Sequence, residues 1–197
     1  MYGLGFVKSI TFGLPSFNPI VGTLPETYSL KEELDAPIDQ GDRGICVSVC
    51  ATDMIKYKYK LLGQSGKYKR HVDFYYNHRS DKNQDGMSPR NAFDVALAYG
   101  IISSYSTIKN ISATKVAMTA NGPVLIALPV YSYDSDFWRK TTKGPIGYHA
   151  VTLVGYDDKE NEFYLRNSWG TNWGLGGYTA FPYNEFSSVL EAWTVFK

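Results

Sequence analysis

QGDRGICVSVCATDMIKYKYKLLG, the stretch from Gln40 to Gly63, decides how the first half of the chain folds. From Cys46 onward its apolar residues recur at intervals of three and four, which is the period of an α-helix with one buried face. The glycine at the end of the stretch supplies a helix stop. Cys46 and Cys50 are the only two cysteines of the 197-residue chain. We predict a helix that starts at Cys46, with Cys50 one turn further on and in the core.

Cys46 is placed where a helix activates a thiol. The first turn of a helix has free backbone N–H groups and the positive end of the helix dipole, and both favour thiolate over thiol. The thiolate is the nucleophilic form of cysteine, and the same N-terminus can donate an N–H to a developing oxyanion. Gln40 lies on a turn that Gly41 and Gly44 make flexible, so its side-chain amide is predicted to swing in as a second donor. The stretch thus indicates a nucleophile with an oxyanion hole beside it.

A thiolate nucleophile needs a base, and the base needs a residue that orients it. Of the three histidines, His149 opens the strand-like run HAVTLVGYD, and a strand is a rigid support for an imidazole. Asn167, in LRNSWGTNWGLGGY, offers an amide oxygen that can hold the ring in one tautomer, with Trp169 shielding the hydrogen bond from water. His71 and His78 have no companions at metal-ligand spacing. We expect a Cys–His–Asn arrangement and no metal.

The rest of the chain divides into a helical part and a strand part. SPRNAFDVALAYG, residues 88–100, has an N-cap serine, a first-turn proline and a C-terminal glycine, which together predict a helix. VDFYYNHR, residues 72–79, is a candidate for a short helix. After residue 120 the apolar runs are short, β-branched or aromatic, and separated by turn residues, as in strands. Helices first and strands second predict an α+β fold with segregated lobes.

Composition excludes several classes of function. The formal net charge is +1, so no global field attracts nucleic acid or a membrane surface. The basic run from Lys56 to His71 falls at the end of the predicted first helix, where cations complement the dipole, and is interpreted as solvated surface. No stretch reaches the ~20 apolar residues of a membrane span, and residues 1–23 lack the basic start of a signal peptide. We expect free thiols and an intracellular (cytoplasmic) or virus-associated location.

DKNQDG, residues 81–86, matches the first half of a calcium-binding loop. Position twelve of such a loop falls on Ala92, where a bidentate glutamate is needed. We favour the alternative, a polar turn. No metal and no other cofactor is therefore expected.

Three segments resemble the active-site segments of papain-like, cathepsin-type cysteine peptidases. PIDQGDRGICVSV is similar to the segment around the family's nucleophile, usually written Q-G-x-C-G-S-C-W. GYHAVTLVGYD resembles the histidine segment, and LRNSWGTNWGLGGY is very close to the asparagine segment, K-N-S-W-G-x-x-W-G-x-x-G-Y. Weaker similarities extend the resemblance, in the right order, over residues 24–197. The resemblance implies a papain-like two-lobed fold, with a helical lobe and an antiparallel, barrel-like β lobe facing each other across a cleft.

The resemblance also implies a role for each matching residue. Cys46 takes the position of the nucleophile, His149 that of the general base and acid, and Asn167 that of the orienting residue. Gln40 and the backbone N–H of Cys46 take the positions of the oxyanion hole. The residues in the positions of the substrate cleft are Gly86, Met87 and Trp169. The implied activity is hydrolysis of peptide bonds in peptide or protein substrates through a thioester, without a cofactor.

The sequence departs from the family at several positions. Arg43 occupies the place of a disulfide-forming cysteine, Ile45 replaces a small residue before the nucleophile, and Val47 replaces an aromatic residue after it. The histidine and the asparagine also follow the cysteine more closely than the ~130–150 residues typical of the family. These departures leave open an alternative, a catalytically inactive papain-fold module for structure or interaction, for which a virus or phage assembly is one setting.

Residues 1–23 precede the matched domain, residues 24–197, as an irregular extension rich in glycine, proline and aromatic residues. We expect no long inhibitory pro-region ahead of the domain. Three roles for the extension are therefore open. It lies on or near the cleft, it docks a protein partner in an assembly, or activity is controlled in another way.

Overall fold

A computed structural model of the protein describes residues 1–20 and 22–197, which fold around two hydrophobic cores. The first core lies among the N-terminal helices and includes Met54 and Phe93. The second lies on the sheet and includes Val154 and Phe163. The two cores are the centres of a helical lobe and a β lobe, so the α+β class predicted from the sequence is confirmed.

The predicted helices form close to their expected bounds. The first helix starts at Cys46 and is followed by Gly63, whose φ of 65° cannot continue a helix. In the third helix the hydroxyl of Ser88 accepts a hydrogen bond from the backbone N–H of Asn91 at 3.2 Å, as expected of an N-cap. The helices are α1 (Cys46–Leu61), α2 (Asp73–Asn77), α3 (Pro89–Ala98) and α4 (Ile111–Asn121).

The strands form one antiparallel sheet whose path is β2-β7-β3-β4-β5-β6, with β1 added beside β4. The long strand β4 pairs with β1, β3 and β5, and most of its residues are buried. A strand so placed is a rigid support for any side chain it carries. The strands are β1 (Thr27–Ser29), β2 (Ser104–Thr107), β3 (Val124–Val130), β4 (Gly147–Asp157), β5 (Glu162–Arg166), β6 (Tyr178–Pro182) and β7 (Glu191–Phe196).

Three elements were not predicted: the short strands β1 and β2, and the helix α4. Asn110 caps α4 by accepting a hydrogen bond from the backbone N–H of Ala113 at 2.8 Å, and Gly122 ends it with a φ of 99°. The helix buries the small side chains of Ala113 and Ala117. Small residues give a weaker periodic signal than the large apolar residues of α1, and the helix was therefore overlooked.

The buried side chain of Arg166, at the end of β5, joins the two lobes. Its Nε donates to Oδ2 of Asp53 on α1 at 2.8 Å, and the Arg166 side chain is only 3% exposed. Its Nη1 donates to the Asp35 carbonyl oxygen at 2.7 Å and to the Tyr178 hydroxyl at 2.9 Å. One guanidinium thus links α1, β5, β6 and the chain segment that leads to Gln40.

Residues 1–20 form neither a helix nor a regular strand, as expected for the extension, and lie along the domain. Two isolated parallel bridges hold them, one from Phe6 to Met87 and one from Ser16 to Thr107. Val21, which belongs to the predicted extension, lies outside the described residues. Within the described chain, every helix is too short or too polar to cross a membrane.

We expect Asp53→Ala to lower the free energy of unfolding by about 3 kcal/mol, because it leaves a buried guanidinium without its counter-charge. Urea denaturation at neutral pH measures the change. Lys159→Ala is the control, since its ion pair with Glu26 is exposed and such pairs contribute about 0–1 kcal/mol. Equal losses in the two variants would contradict a dominant role for the buried pair.

Candidate active site

Cys46 is the first residue of α1 and is fully buried. Ile45 precedes the helix without capping it through its side chain, so the first N–H groups of α1 are not claimed by a cap. In this closed site, burial opposes the effect of the helix N-terminus on the thiol. Burial raises the pKa of Cys46 to about 11, although the backbone N–H groups of Ala150 and Gly5 oppose the rise. Desolvation therefore outweighs the helix N-terminus, and the sulfur is a neutral thiol.

His149 lies on β4, and the next residue, Ala150, is buried in the same cluster as Cys46, which brings α1 to the strand that carries the imidazole. Nε2 of His149 lies 2.8 Å from Oδ1 of Asn167. The same oxygen accepts a hydrogen bond from the backbone N–H of Ser168 at 2.7 Å, which identifies it as the amide oxygen. Nε2 therefore carries the proton, and Nδ1 is left as the unprotonated nitrogen.

Nδ1 of His149 is buried and has no hydrogen-bond partner within the described chain, so it is not bonded to the thiol in this structure. Burial lowers the pKa of His149 to about 4, against the opposing effect of the hydrogen bond to Asn167. At neutral pH the site thus contains a neutral thiol beside a neutral imidazole. A thiolate–imidazolium pair requires that water reach the site.

An aromatic cluster covers the imidazole. Trp169 stacks on His149 with ring centroids 4.7 Å apart and planes 19° apart. Phe137 lies 5.8 Å from the imidazole and 5.2 Å from the indole, and Tyr2 of the extension stacks on the indole at 4.8 Å. These rings keep water from the hydrogen bond between His149 and Asn167. Trp169 therefore has the shielding position that was predicted for it.

Gln40 is buried, and hydrogen bonds fix its side chain, which corrects the flexible turn that we expected. Its Nε2 donates to the carbonyl oxygen of Gly3 at 2.9 Å and to that of Arg43 at 2.7 Å. Its Oε1 accepts from the hydroxyl of Ser168, which directly follows the orienting asparagine. The amide donor predicted for an oxyanion hole is therefore held in place and already bonded to a backbone carbonyl.

Residues 2–7 of the extension cross the site in an extended conformation. The two glycines of this segment face the loop before α1. A Cβ atom on Gly3 would lie 2.2 Å from the carbonyl oxygen of Arg43, and one on Gly5 would lie 2.0 Å from that of Gly44. No real Cβ atom tolerates such distances, so both positions require glycine.

The even-numbered side chains of the same segment are large and apolar, and they pack against the β lobe. The fit is close, since a Cβ atom on Gly147 would lie 2.6 Å from Cδ1 of Leu4. One face of the segment thus carries only glycines, and the other carries large apolar side chains. The contacts are Tyr2 on Trp169, Leu4 on Gly147 and Phe6 on Tyr148.

Gly86 and Met87, predicted to form the edge of the substrate cleft, bind this segment through its backbone. The N–H of Met87 donates to the Gly5 carbonyl oxygen at 2.9 Å, and its carbonyl oxygen accepts from the N–H of Val7 at 3.1 Å. A Cβ atom on Gly86, whose φ is 113°, would lie 2.3 Å from the Gly5 oxygen. The predicted cleft edge therefore holds an extended peptide, and that peptide is the chain's own.

The residues that depart from the family pattern are either buried in the core or paired with an opposite charge. Arg43, at the position of a family cysteine, forms an ion pair with Asp73 of α2. Ile45 and Val47 are both buried in the core. An electrostatic link between the loop before α1 and the helix α2 thus stands where the resemblance implies a covalent one.

The segment Asp81–Gly86 forms the polar turn that we favoured. Oδ1 of Asp81 accepts from the backbone N–H of Asn83 at 2.9 Å, and Oδ1 of Asp85 accepts from the Tyr76 hydroxyl at 2.7 Å. Among the described residues, no three His, Cys, Asp or Glu side chains are grouped as metal ligands would be.

Sequence reasoning left a place on or near the cleft open as one role of the extension, and it missed the contribution of Ser168. A signal for the extension was present, because YGLGF alternates glycine with large apolar residues at the period of a strand. Such a segment can lie close to another backbone on one side and pack apolar side chains on the other. The bond from Ser168 to Gln40 had no signal, since it joins residues far apart in the chain.

This geometry fits the class of cysteine proteases, in which an imidazole activates a thiol for attack on an acyl group. The model of the papain family of cysteine proteases matches residues 35–192, and the chain belongs to that family. The recognised fold and the matched segments do not favour the alternative of an inactive module.

Solved structures share the whole fold at low sequence identity. Xylellain, a cysteine protease from Xylella fastidiosa, superposes with a TM-score of 0.84 and 22% identity over 100% of this chain and 96% of its own. The proCathepsin B S9 from Trypanosoma congolense gives a TM-score of 0.82 and 18% identity over 99% and 87% of the two chains. These similarities confirm the two-lobed fold.

Curated relatives match parts of the sequence. The gut-specific cysteine proteinase of Caenorhabditis elegans is 32% identical over 47% of this chain and 31% of its own length. Cysteine proteinase 3 of Entamoeba histolytica is 24% identical over 89% of this chain and 68% of its own length. The match to the first relative thus spans less than a third of that protein.

His149 is expected to make the stability depend on pH in a defined window. Its pKa of about 4 in the folded state lies below the usual 6.5, so its contribution is complete above pH 6.5 and is lost as the pH falls toward 4. The unfolding free energy of the wild type, minus that of His149→Gln, should fall by about 2 kcal/mol from pH 7 to pH 5. Urea denaturation of both proteins at each pH measures it. A difference that stays constant with pH would contradict the low pKa.

Proposed function

We propose that this protein is a cysteine peptidase that hydrolyses peptide bonds through Cys46, and that residues 2–7 keep it latent in the state described. One observation carries the proposal. An extended peptide lies across Cys46 with a backbone carbonyl, that of Gly3, on the amide of Gln40 at 2.9 Å. The site thus binds a peptide backbone and places a carbonyl oxygen on a fixed hydrogen-bond donor, as acyl transfer requires.

In the proposed reaction, Nδ1 of His149 takes the thiol proton of Cys46, and the sulfur attacks the carbonyl carbon of the peptide bond. The carbonyl π electrons move to the oxygen, which the Gln40 amide and the backbone N–H of Cys46 stabilise. When the tetrahedral intermediate collapses, the C–N bond breaks and the imidazolium protonates the leaving amine. Water, deprotonated by His149, then hydrolyses the thioester and restores the thiol. Asn167 holds the imidazole in the required tautomer throughout.

The bound segment is an inhibitor rather than a substrate because of what it presents to the sulfur. The backbone of Gly5 lowers the pKa of Cys46, as an N–H donor does, and the carbonyl oxygen of Gly5 is bonded instead to the N–H of Met87 at 2.9 Å. The segment also excludes water, which keeps the thiol neutral and the imidazole unprotonated. Displacing it rehydrates both groups and moves their pKa values back toward each other, which favours ionisation of the pair.

The side chains of the segment also support a substrate class, peptides or proteins that place an apolar residue beside Met87. Phe6 fills that place, is buried, and meets the ring of Tyr148 at 6.5 Å. The segment makes no ion pair there among the described residues. An apolar pocket next to the nucleophile selects by burial of a side chain rather than by charge.

Gly5→Ala should open the site, because the added Cβ atom would overlap the backbone of Gly44. We expect alkylation of Cys46 by iodoacetamide at pH 7 to accelerate at least tenfold, measured by mass spectrometry of the folded protein. Gly22→Ala is the matched control, since its Cβ atom meets nothing within 4 Å, and its rate should equal that of the wild type. Equal rates in all three proteins would contradict latency through this segment.

Peptidase activity is tested in the Gly5→Ala background with an unstructured protein substrate. We expect cleavage that is lost on adding Cys46→Ala and kept on adding Cys50→Ala, because Cys50 is buried in the core. A vinyl-sulfone probe should label the first background and not its Cys46→Ala form. Cleavage that survives Cys46→Ala would rule out the assigned nucleophile.

A further inference from the structure

The β lobe carries an open cavity that is separate from the catalytic site. The cavity is bounded by β1, β5 and β6, has a volume of about 250 Å³, and has a mainly apolar wall. None of the residues that line it belongs to the catalytic group. Its wall includes six residues that we call the β6 patch: Lys31, Glu162, Tyr164, Leu175, Tyr178 and Ala180.

The β6 patch combines an apolar projection with the cavity beside it. Leu175 is 80% exposed, although its backbone is fixed. Its N–H donates to the Tyr178 carbonyl oxygen at 2.8 Å, and its carbonyl oxygen accepts from the Tyr178 N–H at 3.3 Å. Tyr164 lies against β4, since a Cβ atom on Gly155 would be 2.6 Å from Cδ2 of its ring. A large apolar side chain is thus held in water next to an unfilled apolar cavity.

The cavity also has two opposite charges at its rim that are not paired with each other. Within the described residues, neither Lys31 nor Glu162 forms an ion pair, and the Lys31 ammonium lies 4.7 Å from the centre of the Tyr178 ring. Burial and the nearby charges of Glu160 and Asp157 raise the pKa of Glu162. A cation brought to Glu162 from outside would relieve this repulsion.

The edge of β6 is poorly suited to the addition of a peptide strand, although β6 ends the path of the sheet. The N–H and carbonyl groups of Tyr178 face away from β5 and are already bonded to Leu175. Because alternate residues of a strand direct these groups to the same side, Ala180 and Pro182 come next, and proline has no N–H. An extended peptide would find only Ala180 complete, so the β6 patch fits a folded surface instead.

We propose that the β6 patch is the contact surface between two copies of this chain related by a two-fold axis. Such an interface uses the same patch twice, so each feature must find its complement within that patch. The β6 patch meets this requirement. Leu175 of each copy enters the cavity of the other, and Lys31 of each copy pairs with Glu162 of the other. The catalytic group lies outside the interface.

Sedimentation velocity over a micromolar to millimolar concentration series measures the association. We expect the wild type to pass from monomer to dimer within this range. Leu175→Glu should raise the dissociation constant at least tenfold, because it places a charge in the apolar cavity of the other copy. Leu61→Glu is the matched control, since Leu61 is also exposed but lies on α1, and its dissociation constant should equal that of the wild type.

Charge reversal tests the two-fold arrangement itself. Lys31→Glu and Glu162→Lys each place like charges opposite each other at both ends of the interface, and each should weaken association at least tenfold. An equimolar mixture of the two variants should associate as tightly as the wild type, because every contact in the mixed dimer again joins one lysine to one glutamate. Lys140→Glu, the same reversal at an exposed lysine outside the β6 patch, should have no effect.

Three results would overturn the proposal. One is a wild type that stays monomeric over the whole concentration series, which would leave the cavity to another occupant. Another is a dimer that Leu175→Glu does not weaken, since it would use a different surface. The third is a mixture of the two reversal variants that associates no better than either alone. These measurements need no substrate, so the presence or absence of peptidase activity does not alter their reading.

Discussion

The buried guanidinium of Arg166 is the constraint on which the arrangement of the site depends. Asp53, its partner, lies on α1 two turns beyond Cys46, and Arg166 itself directly precedes Asn167. The carbonyl oxygen of Asp35, which Arg166 also binds, begins the segment that leads to Gln40. The nucleophile, the orienting residue and the amide donor therefore reach the site on three chain segments that share one planar cation. Because a guanidinium offers its donors in a fixed plane, it sets the directions of these segments as well as their distance.

The charge state of the closed site follows from a competition between two effects of known size. A helix N-terminus stabilises an anion by about 0.3–2 kcal/mol. Burial acts in the opposite sense and raises the pKa of Cys46 from 9.0 to about 11. Two pKa units correspond to about 3 kcal/mol, so desolvation dominates even with the dipole in place. Once water enters the site, desolvation no longer raises the pKa of Cys46. The N-terminus of α1 then lowers that pKa and favours the thiolate.

The sequence was sufficient for features that depend on local pattern. The helix from Cys46, the cap at Ser88 and the strand that carries His149 each had a periodic or capping signal, and each is present. The helix α4 was missed because its buried residues are small, which weakens the period. The hydrogen bond between His149 and Asn167 was suggested by residue type and family resemblance together.

Other features of the site had no local signal. The pKa of Cys46 depends on burial under a segment that lies far away in the chain, which the position at the start of a helix does not record. The fixed rotamer of Gln40 depends on Gly3 and Ser168, which no spacing rule connects to it. Charge states and rotamers of this kind follow from tertiary contacts, and sequence patterns do not record them.

The backbone N–H of Ser9, in the extension, donates to the Glu191 side chain at the start of β7, and this contact orders events during synthesis. The extension leaves the ribosome long before the strand that binds it has been translated, because 182 residues separate the two partners. Throughout that interval the segment has neither Glu191 nor Phe196 to hold it. Residues 9–17 can take their place against β7 only after that strand has been translated and has paired with β2 and β3. The first residues of the chain thus find their last contacts only when its final strand is complete, and a nascent chain halted before that strand would hold the extension by residues 2–7 alone.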